Sequence, residues 1–528
     1  MEKRTELYDF IQNLSKSEKG YFKKYVYKSG LKENNYLNLF NSIEEFLQKN
    51  NETIKEFEKS FSTKYLDGKS ISSIKNYLFE LLTKTIVEYH SKSDIEAEIL
   101  QLYSTAKILM VKNLFLSSHR ILNKAIKKAQ TAELFEFENL LLALKYKLFY
   151  NFDKKNLLNA QADIEEKHLA NRKLADNYYL YQGIYHRLYH FATINRSAKN
   201  QQQIDYINNI VNVKELDDIK YALSNRTRKA FYTIKKVYHF VLNNELEVFK
   251  YGILFLQEVE KYDKLTKKTK AHLAISYFEI AQRAYLNYLF KLGDSYLNKM
   301  KAFGKLFKQT VFDILYLEIL SNYSKLDYES NFLYKDELID YLKNLRNEKF
   351  FYLIFAALNM IIQGGFVLGA YKEILELIKT IKDHIPNISY LSAKHVLLMY
   401  EVLCHYEIND YTYLPYLIRN NKRSLQKIEM FTDVEKALFD CLKRTANFTT
   451  NQTNRVKIFK ETLDLFRFYE NKQDLHFDID DFKINAWLKS KINNTTLIDE
   501  NKKFYAKDKK IRIDKCSSLI KEFNLNLT

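Results

Sequence analysis

Prolines and glycines are scarce in this chain, which has 2 Pro and 10 Gly among 528 residues. All-β domains consume both residue types in their many tight turns, so this scarcity argues against an all-β fold. Three cysteines, Cys404, Cys441 and Cys516, are widely separated and form no CxxC pair. They indicate neither a disulfide framework nor a zinc site. The first six residues lack the apolar core of a secretory signal, so we expect a cytoplasmic protein.

Hydrophobic residues make up 46% of the sequence, which is enough to bury a core and excludes a disordered chain. Lys and Arg number 83 against 65 Asp and Glu, so the formal net charge is +18. A diffuse positive surface attracts polyanions weakly, whereas a clustered one attracts them strongly. The placement of the basic residues therefore matters more than their number.

The dominant pattern is apolar residues at i, i+3, i+4 and i+7, which predicts α-helices throughout. The helices come in antiparallel pairs with short polar connections, and consecutive pairs begin at a spacing typical of helical-repeat arrays. Such a pair buries its apolar side only by stacking on its neighbours, so we expect an elongated all-α solenoid. The predicted pairs are 95–111 with 115–130, 134–150 with 154–168, 225–242 with 245–262, 268–287 with 290–303, 348–363 with 367–384, and 431–446 with 455–470.

One stretch, from Phe350 to Tyr371, contains no charged residue and is long enough for a membrane span. Asn359 and Gln363 interrupt it, and Gly364-Gly365 lies near its middle. We therefore predict a buried helical hairpin, with a helix that ends at Gln363, a Gly-Gly turn and a new helix from Phe366.

Three helices carry the spacing small-x3-large-x2-small, which in the tetratricopeptide repeat marks the second helix of each pair. Ser118, Leu122 and Ala125 match it. Gly252, Leu256 and Val259 fit it loosely, and Ile374, Ile378, Ile381 and Pro386 keep the spacing with Ile in place of the small residue. The chain resembles tetratricopeptide-repeat proteins in these segments, although the opening Trp-x2-Leu-Gly signature is missing. The resemblance implies an α-solenoid that binds peptides or proteins along a concave face.

The pattern predicts three regions. Residues 1–92 form an N-terminal helical cap or bundle, residues 93–470 the repeat array, and residues 471–528 a C-terminal helical cap with a basic tail. The tail carries seven basic residues: Lys502, Lys503, Lys507, Lys509, Lys510, Arg512 and Lys515.

Motifs for catalysis are scarce. The sequence has no GxSxG, Walker or GxGxxG motif. His186 and His190 share a helix face, but Arg187 stands where an HExxH motif has its Glu, and no third ligand is evident. His476, Asp478, Asp480 and Asp481 lack the Gly and distal Glu of an EF-hand. We expect no enzyme activity, no cofactor and no metal.

The strongest candidate surface combines basic and aromatic residues on three first-of-pair helices. If these helices line the concave wall, their side chains form a continuous groove. It would bind a protein segment, expected to be acidic, or alternatively RNA or DNA, whose phosphates the same groups neutralise. The same residues could also reflect composition alone and pack between helices. The predicted partner-binding residues are Tyr185, Arg187, Tyr189, Arg228, Tyr232, Lys235, His239, Tyr277 and Arg283.

Overall fold

The computed structural model of the chain is helical almost throughout, and its described residues include no strand, which confirms the all-α class. The chain divides into two compact units, residues 1–180 and 181–528. The described residues are 6–28, 35–49, 53–66, 70–90, 94–152, 157–195, 197–198, 200–262, 267–303, 308–343, 351–384, 391–427, 431–447, 451–470 and 483–523.

The first unit contains α1 (Glu6–Asn13), α2 (Lys16–Lys28), α3 (Asn35–Lys49), α4 (Ile54–Tyr65), α5 (Ser72–His90), α6 (Ile95–Val111), α7 (Phe115–Thr131), α8 (Phe135–Phe152) and the start of α9 (Leu157–Asn195). The second unit begins within α9. It continues with α10 (Gln201–Val211), two short 3₁₀ turns (Lys214–Leu216 and Ile219–Tyr221), α11 (Asn225–Val241), α12 (Glu245–Tyr262), α13 (Lys267–Leu286), α14 (Phe290–Lys301), α15 (Lys308–Ser324), α16 (Tyr328–Phe332), α17 (Lys335–Lys343), α18 (Phe351–Leu368), α19 (Tyr371–His384), α20 (Leu391–Glu407), α21 (Leu414–Lys427), α22 (Asp433–Ala446), α23 (Gln452–Glu470), α24 (Ile484–Asn493) and α25 (Leu497–Glu522).

One turn recurs between successive helices. After α6, Asn113 adopts a φ of 59°; its N–H donates to the Met110 carbonyl at 3.0 Å, and the N–H of Leu114 donates to the Leu109 carbonyl at 2.9 Å. This is the Schellman motif, which satisfies carbonyl groups at the end of a helix. The same pair of bonds closes α7, α11, α13, α15, α18 and α20, around Glu133, Asn243, Tyr288, Leu326, Gly369 and Asn409.

The first unit holds two separate cores. Helices α1–α5 bury one, which runs from Leu7 to Leu82, and helices α6–α9 bury the other, from Ile99 to Ile164. The predicted boundary at residue 92 lies between these cores. In the second core, Ser118 is fully buried and its hydroxyl donates to the Ala106 carbonyl at 2.8 Å. A small side chain at this position lets α7 lie close against α6.

The second unit also has two cores. The smaller one joins α9, α10 and α11, and the larger one extends from Phe249 of α12 to Leu519 of α25. Within the unit, most helices pack against the helices that precede and follow them, so the predicted helix pairs 225–242/245–262 and 268–287/290–303 are present as α11/α12 and α13/α14.

The predicted turn at Gly364-Gly365 is wrong. Helix α18 continues through both glycines and ends before Gly369, whose φ is 79°. A Cβ atom at Gly365 would lie 2.8 Å from the ring of Phe332 and 3.2 Å from Ile374. The glycine pair therefore permits close helix packing, and the turn residue is the third glycine of the cluster.

The described part of the uncharged stretch that met the length criterion for a membrane span thus consists of α18, the turn after it and the first residue of α19. Residues 353–368 of this helix are buried or half-buried, with none exposed. In the part of the chain that the structure describes, no helix is sufficiently long and apolar to cross a membrane.

The C-terminal basic run lies on α25, which packs back across the second unit. Cys516 and Leu519 of this helix belong to the large core. Four polar contacts tie α25 to much earlier parts of the unit: Asn501 to the Tyr328 hydroxyl at 2.5 Å, Asp508 to the Tyr288 hydroxyl at 2.6 Å, Arg512 to the Leu286 carbonyl at 3.4 Å, and Glu522 to Lys250 at 3.1 Å. The end of the chain therefore holds the second unit together along much of its length.

Candidate functional site

The nine predicted partner-binding residues lie on three adjoining helices of the second unit. Helices α9 and α11 share a core in which the ring centroids of Tyr181 and Phe231 are 6.5 Å apart. Helices α11 and α13 are joined by an ion pair in which the Lys236 ammonium lies 2.5 Å from the Glu279 carboxylate. Helices α9, α11 and α13 thus adjoin one another in chain order, and we refer to the surface of these three helices as the wall.

On α9, Tyr185 and Tyr189 form a stacked pair with centroids 5.6 Å apart, and Tyr189 is 56% exposed. Arg187 lies about 200° around the helix from Tyr185, since each residue advances by about 100°. Its Nε donates to the Gly183 carbonyl at 3.3 Å. The helix therefore separates Arg187 from the tyrosine pair with which the sequence groups it.

On α11, Arg228, Tyr232, Lys235 and His239 occupy one face, which we call the α11 strip. Arg228 donates to the Glu258 carboxylate of α12. The ring of His239 stacks on that of Tyr251 at 5.4 Å with an interplanar angle of 11°, and Tyr232 lies 6.5 Å from the same ring. The strip consequently borders α12 and is half-buried.

Lys235 differs from Arg228, the other cation of the strip, in having no ion-pair partner among the described residues. Its ammonium lies 5.6 Å above the ring of Phe231. Burial lowers the pKa of Lys235, and the nearby Asp217 carboxylate opposes that effect. Among the described residues, no carboxylate lies within ion-pair distance of Lys235, so it is the cation of the strip that a partner could pair with.

On α13, the two predicted residues are turned toward α12. Tyr277 is buried and donates its hydroxyl to the Glu260 carboxylate at 3.1 Å. Burial, followed by the Glu260 charge, raises the pKa of Tyr277 to about 12. Arg283 forms an ion pair with Glu245. Both side chains thus help to hold α12 and α13 together.

The wall contains acidic residues that the sequence analysis did not place there. Glu245, Glu258 and Glu260 of α12 contact Arg283, Arg228 and Tyr277 respectively. Only the tertiary pairing of α12 with its two neighbours brings these carboxylates to the predicted residues, so helix periodicity alone gives no signal for them. They reduce the positive charge that the wall presents.

The histidine and acidic groups considered as metal ligands, and the three cysteines, are placed as follows. His186 and His190 are both exposed on α9, and the described residues contain no group of three potential metal ligands. The cluster from His476 to Asp481 lies outside the described residues. All three cysteines are buried as free thiols, and burial raises the pKa of each.

A second basic surface, on α21, was not singled out from the sequence. We call it the α21 face; its members are Tyr413, Tyr416, Arg419, Arg423 and Lys427, all of them exposed. The signal that could have found it is composition, because α21 contains four basic residues and no acidic one.

Comparison with known proteins gives no relative: no protein-family model matches the chain, and no curated protein or solved structure matches it significantly.

Proposed function

We propose that this chain is a non-catalytic interaction protein, built as a tetratricopeptide-like α-solenoid, that binds an acidic protein segment. The recurrence of one Schellman turn after seven described helices supports a repeated helix-turn-helix unit. The complete burial of Ser118, Leu122 and Ala125 supports the tetratricopeptide resemblance, because these are the packing positions of its second helix.

The α11 strip is the surface that we propose for the acidic segment. The observation that carries the proposal is that Lys235, which has no carboxylate at ion-pair distance among the described residues, shares a half-buried face of α11 with His239, whose ring stacks on Tyr251 of α12. Ammonium groups donate to carboxylates, and aromatic rings supply rigid apolar contact area. The stacked tyrosines of α9 extend this contact area across the shared wall.

A protein segment suits this wall better than nucleic acid does. Glu258 and Glu245 already occupy two of its guanidinium groups, and Asp217 lies near Lys235. Such carboxylates repel a continuous row of phosphates. A protein segment can place an isolated carboxylate against Lys235 and apolar or neutral groups elsewhere.

The test is binding of a fluorescein-labelled dodecapeptide of alternating glutamate and tyrosine, measured by fluorescence anisotropy with the full chain. We expect Lys235→Gln to weaken binding about five- to tenfold, the effect of losing one partly exposed charge-assisted hydrogen bond worth about 1–1.5 kcal/mol. Arg228 is a poor target, because its removal leaves the Glu258 carboxylate, which is only 8% exposed, without its partner.

The matched control is Lys502→Gln on α25, which removes the same charge from an exposed position of the same unit. Equal binding by the two variants would show that the α11 strip is not the site. Far-UV circular dichroism and the fluorescence of Trp487, the single tryptophan, would establish that both variants are folded.

A further inference from the structure

Helix α21 presents a rigidly placed positive face. Its inner side buries four aliphatic residues: Leu414, Leu417, Ile418 and Leu425. The buried Asn421 fixes its rotation, because its amide donates to the Leu398 carbonyl at 2.9 Å and to the Glu401 carboxylate at 3.3 Å. The opposite side of the helix is therefore directed away from the core.

The α21 face is a single stripe of rings followed by cations. Tyr413 and Tyr416 are 41% and 56% exposed, with ring centroids 5.6 Å apart. Arg419, Arg423 and Lys427 follow at intervals of four residues, so they succeed one another by about 6 Å along the helix axis. Among the described residues, none of these three cations has a carboxylate within ion-pair distance.

The carboxylates of the adjoining α20 and of the loop that leads into α21 are engaged elsewhere. Each lies about 3 Å from a basic group outside α21: Glu401 with Lys382 at 2.7 Å, Glu407 with Lys491 at 2.8 Å, and Asp410 with His405 at 3.0 Å. These carboxylates therefore do not neutralise the cations of the α21 face, whereas Glu258 neutralises Arg228 of the α11 strip.

We propose that the α21 face binds single-stranded nucleic acid. The face holds three cations and two tyrosines, and no Leu, Ile or Val of α21 is exposed. The centre of a protein–protein interface is depleted of charged groups, especially lysine, whereas nucleic-acid interfaces are polar and strongly positive. Exposed tyrosine rings stack on unpaired bases, which a duplex does not offer.

The geometry gives each part of the face a separate role. The three cations neutralise successive phosphates of one strand, while the two tyrosines stack on bases at the N-terminal end of the helix. Single-strand binding that releases counterions from three phosphates has a slope of about −2 in a plot of log affinity against log salt concentration.

The experiment measures anisotropy of a 5′-fluorescein-labelled 12-nucleotide single-stranded RNA of mixed sequence with the full chain between 50 and 200 mM salt. We expect Arg419→Glu/Arg423→Glu to weaken binding at least tenfold and to reduce the magnitude of the salt slope by more than one. We expect Tyr413→Ala/Tyr416→Ala to weaken binding about fivefold or more with the slope unchanged, because stacking is not a counterion effect.

The control Lys502→Glu/Lys510→Glu makes the same charge change at exposed positions of α25 and should alter affinity by less than about twofold. A loss as large as that of the arginine variant would overturn the proposal, since the effect would then be one of net charge. Equal binding of polyglutamate, or full binding by the tyrosine variant, would also overturn it and leave a general anion-binding face. Lys235→Gln should not change RNA binding, so this proposal and that for the α11 strip fail independently.

Discussion

Two glycines of the second unit, Gly293 and Gly252, should respond in opposite directions to the same substitution. A Cβ atom at Gly293 would lie 2.6, 2.7 and 2.9 Å from three ring atoms of Tyr285. That ring is fully buried, and its hydroxyl donates to Asp294 at 2.8 Å, so it has little freedom to move. A Cβ atom at Gly252 of α12 would meet no heavy atom within 4 Å.

Replacing glycine by alanine inside a helix gains about 1 kcal/mol at either position. At Gly293, overpacking opposes this gain with about 2–3 kcal/mol, the upper part of its usual range, because the ring is held on all sides. We therefore expect Gly293→Ala to lower the free energy of unfolding by about 1–2 kcal/mol, and Gly252→Ala to raise it by up to about 1 kcal/mol.

The assay is urea unfolding followed by the fluorescence of Trp487, which is 1% exposed in the core of the unit that contains both glycines. A difference of about 2–3 kcal/mol in the free energy of unfolding separates the two urea midpoints by roughly 0.5–1 M, provided that this free energy depends equally on urea concentration in both variants. An upward shift of the Gly293→Ala midpoint, equal to that of Gly252→Ala, would refute the close approach of α14 to Tyr285.

Three further outcomes are expected. Ser118→Leu should destabilise α6 and α7 by more than about 2 kcal/mol in hydrogen exchange, while Ser117→Leu at the exposed neighbouring position should be nearly neutral. Burial raises the pKa of Glu435, but hydrogen bonds with His395 and Thr432 outweigh it and hold the pKa below its usual value. Glu435→Gln should therefore cost about 1–3 kcal/mol at pH 7. This cost should diminish as the pH falls below the usual carboxyl pKa, because the unfolded chain then takes up a proton at Glu435 before the native state does. Asn501→Ala leaves a buried tyrosine hydroxyl without its partner and should cost about 1–3 kcal/mol in the Trp487-detected transition.

The helical architecture was largely predictable because amphipathic periodicity is local. The predicted span 225–242 compares with α11 at Asn225–Val241, and 95–111 with α6 at Ile95–Val111. Prediction failed where one residue type serves two structural roles. A glycine pair can end a helix or allow close helix packing. At Gly365 it does the latter, because the ring of Phe332 occupies the space that a Cβ atom would fill.

The length of helix α9 was underestimated. The sequence predicts a helix over 154–168, whereas α9 extends from Leu157 to Asn195. Gly183 lies inside this helix, where a Cβ atom would meet nothing within 4 Å, so packing does not explain its presence. Ile164 of this helix belongs to one core, and Ile184 and Leu188 belong to another.

The candidate site was predictable only in part, because periodicity places residues on a face but does not say what that face meets. Arg228, Tyr232, Lys235 and His239 do share one face of α11. Their neighbours on α12, especially Glu258, follow from how two helices pair. The partner-binding role of these residues stays a prediction.

Helices α11 and α21 show why local composition does not by itself locate a positive surface. Each contains several basic residues and no acidic one. None of the residues of α11 is exposed, and Glu258 and Glu279 of the flanking helices pair with two of its cations. On α21 the cations are exposed, and the nearest carboxylates of α20 are paired with Lys382 and Lys491. Any difference between the two helices in their affinity for a polyanion would therefore come from the residues that flank them, since the net charge of the chain is common to both. Under the proposal for the α21 face, charge reversal on α21, and not on α25, should therefore weaken RNA binding at least tenfold.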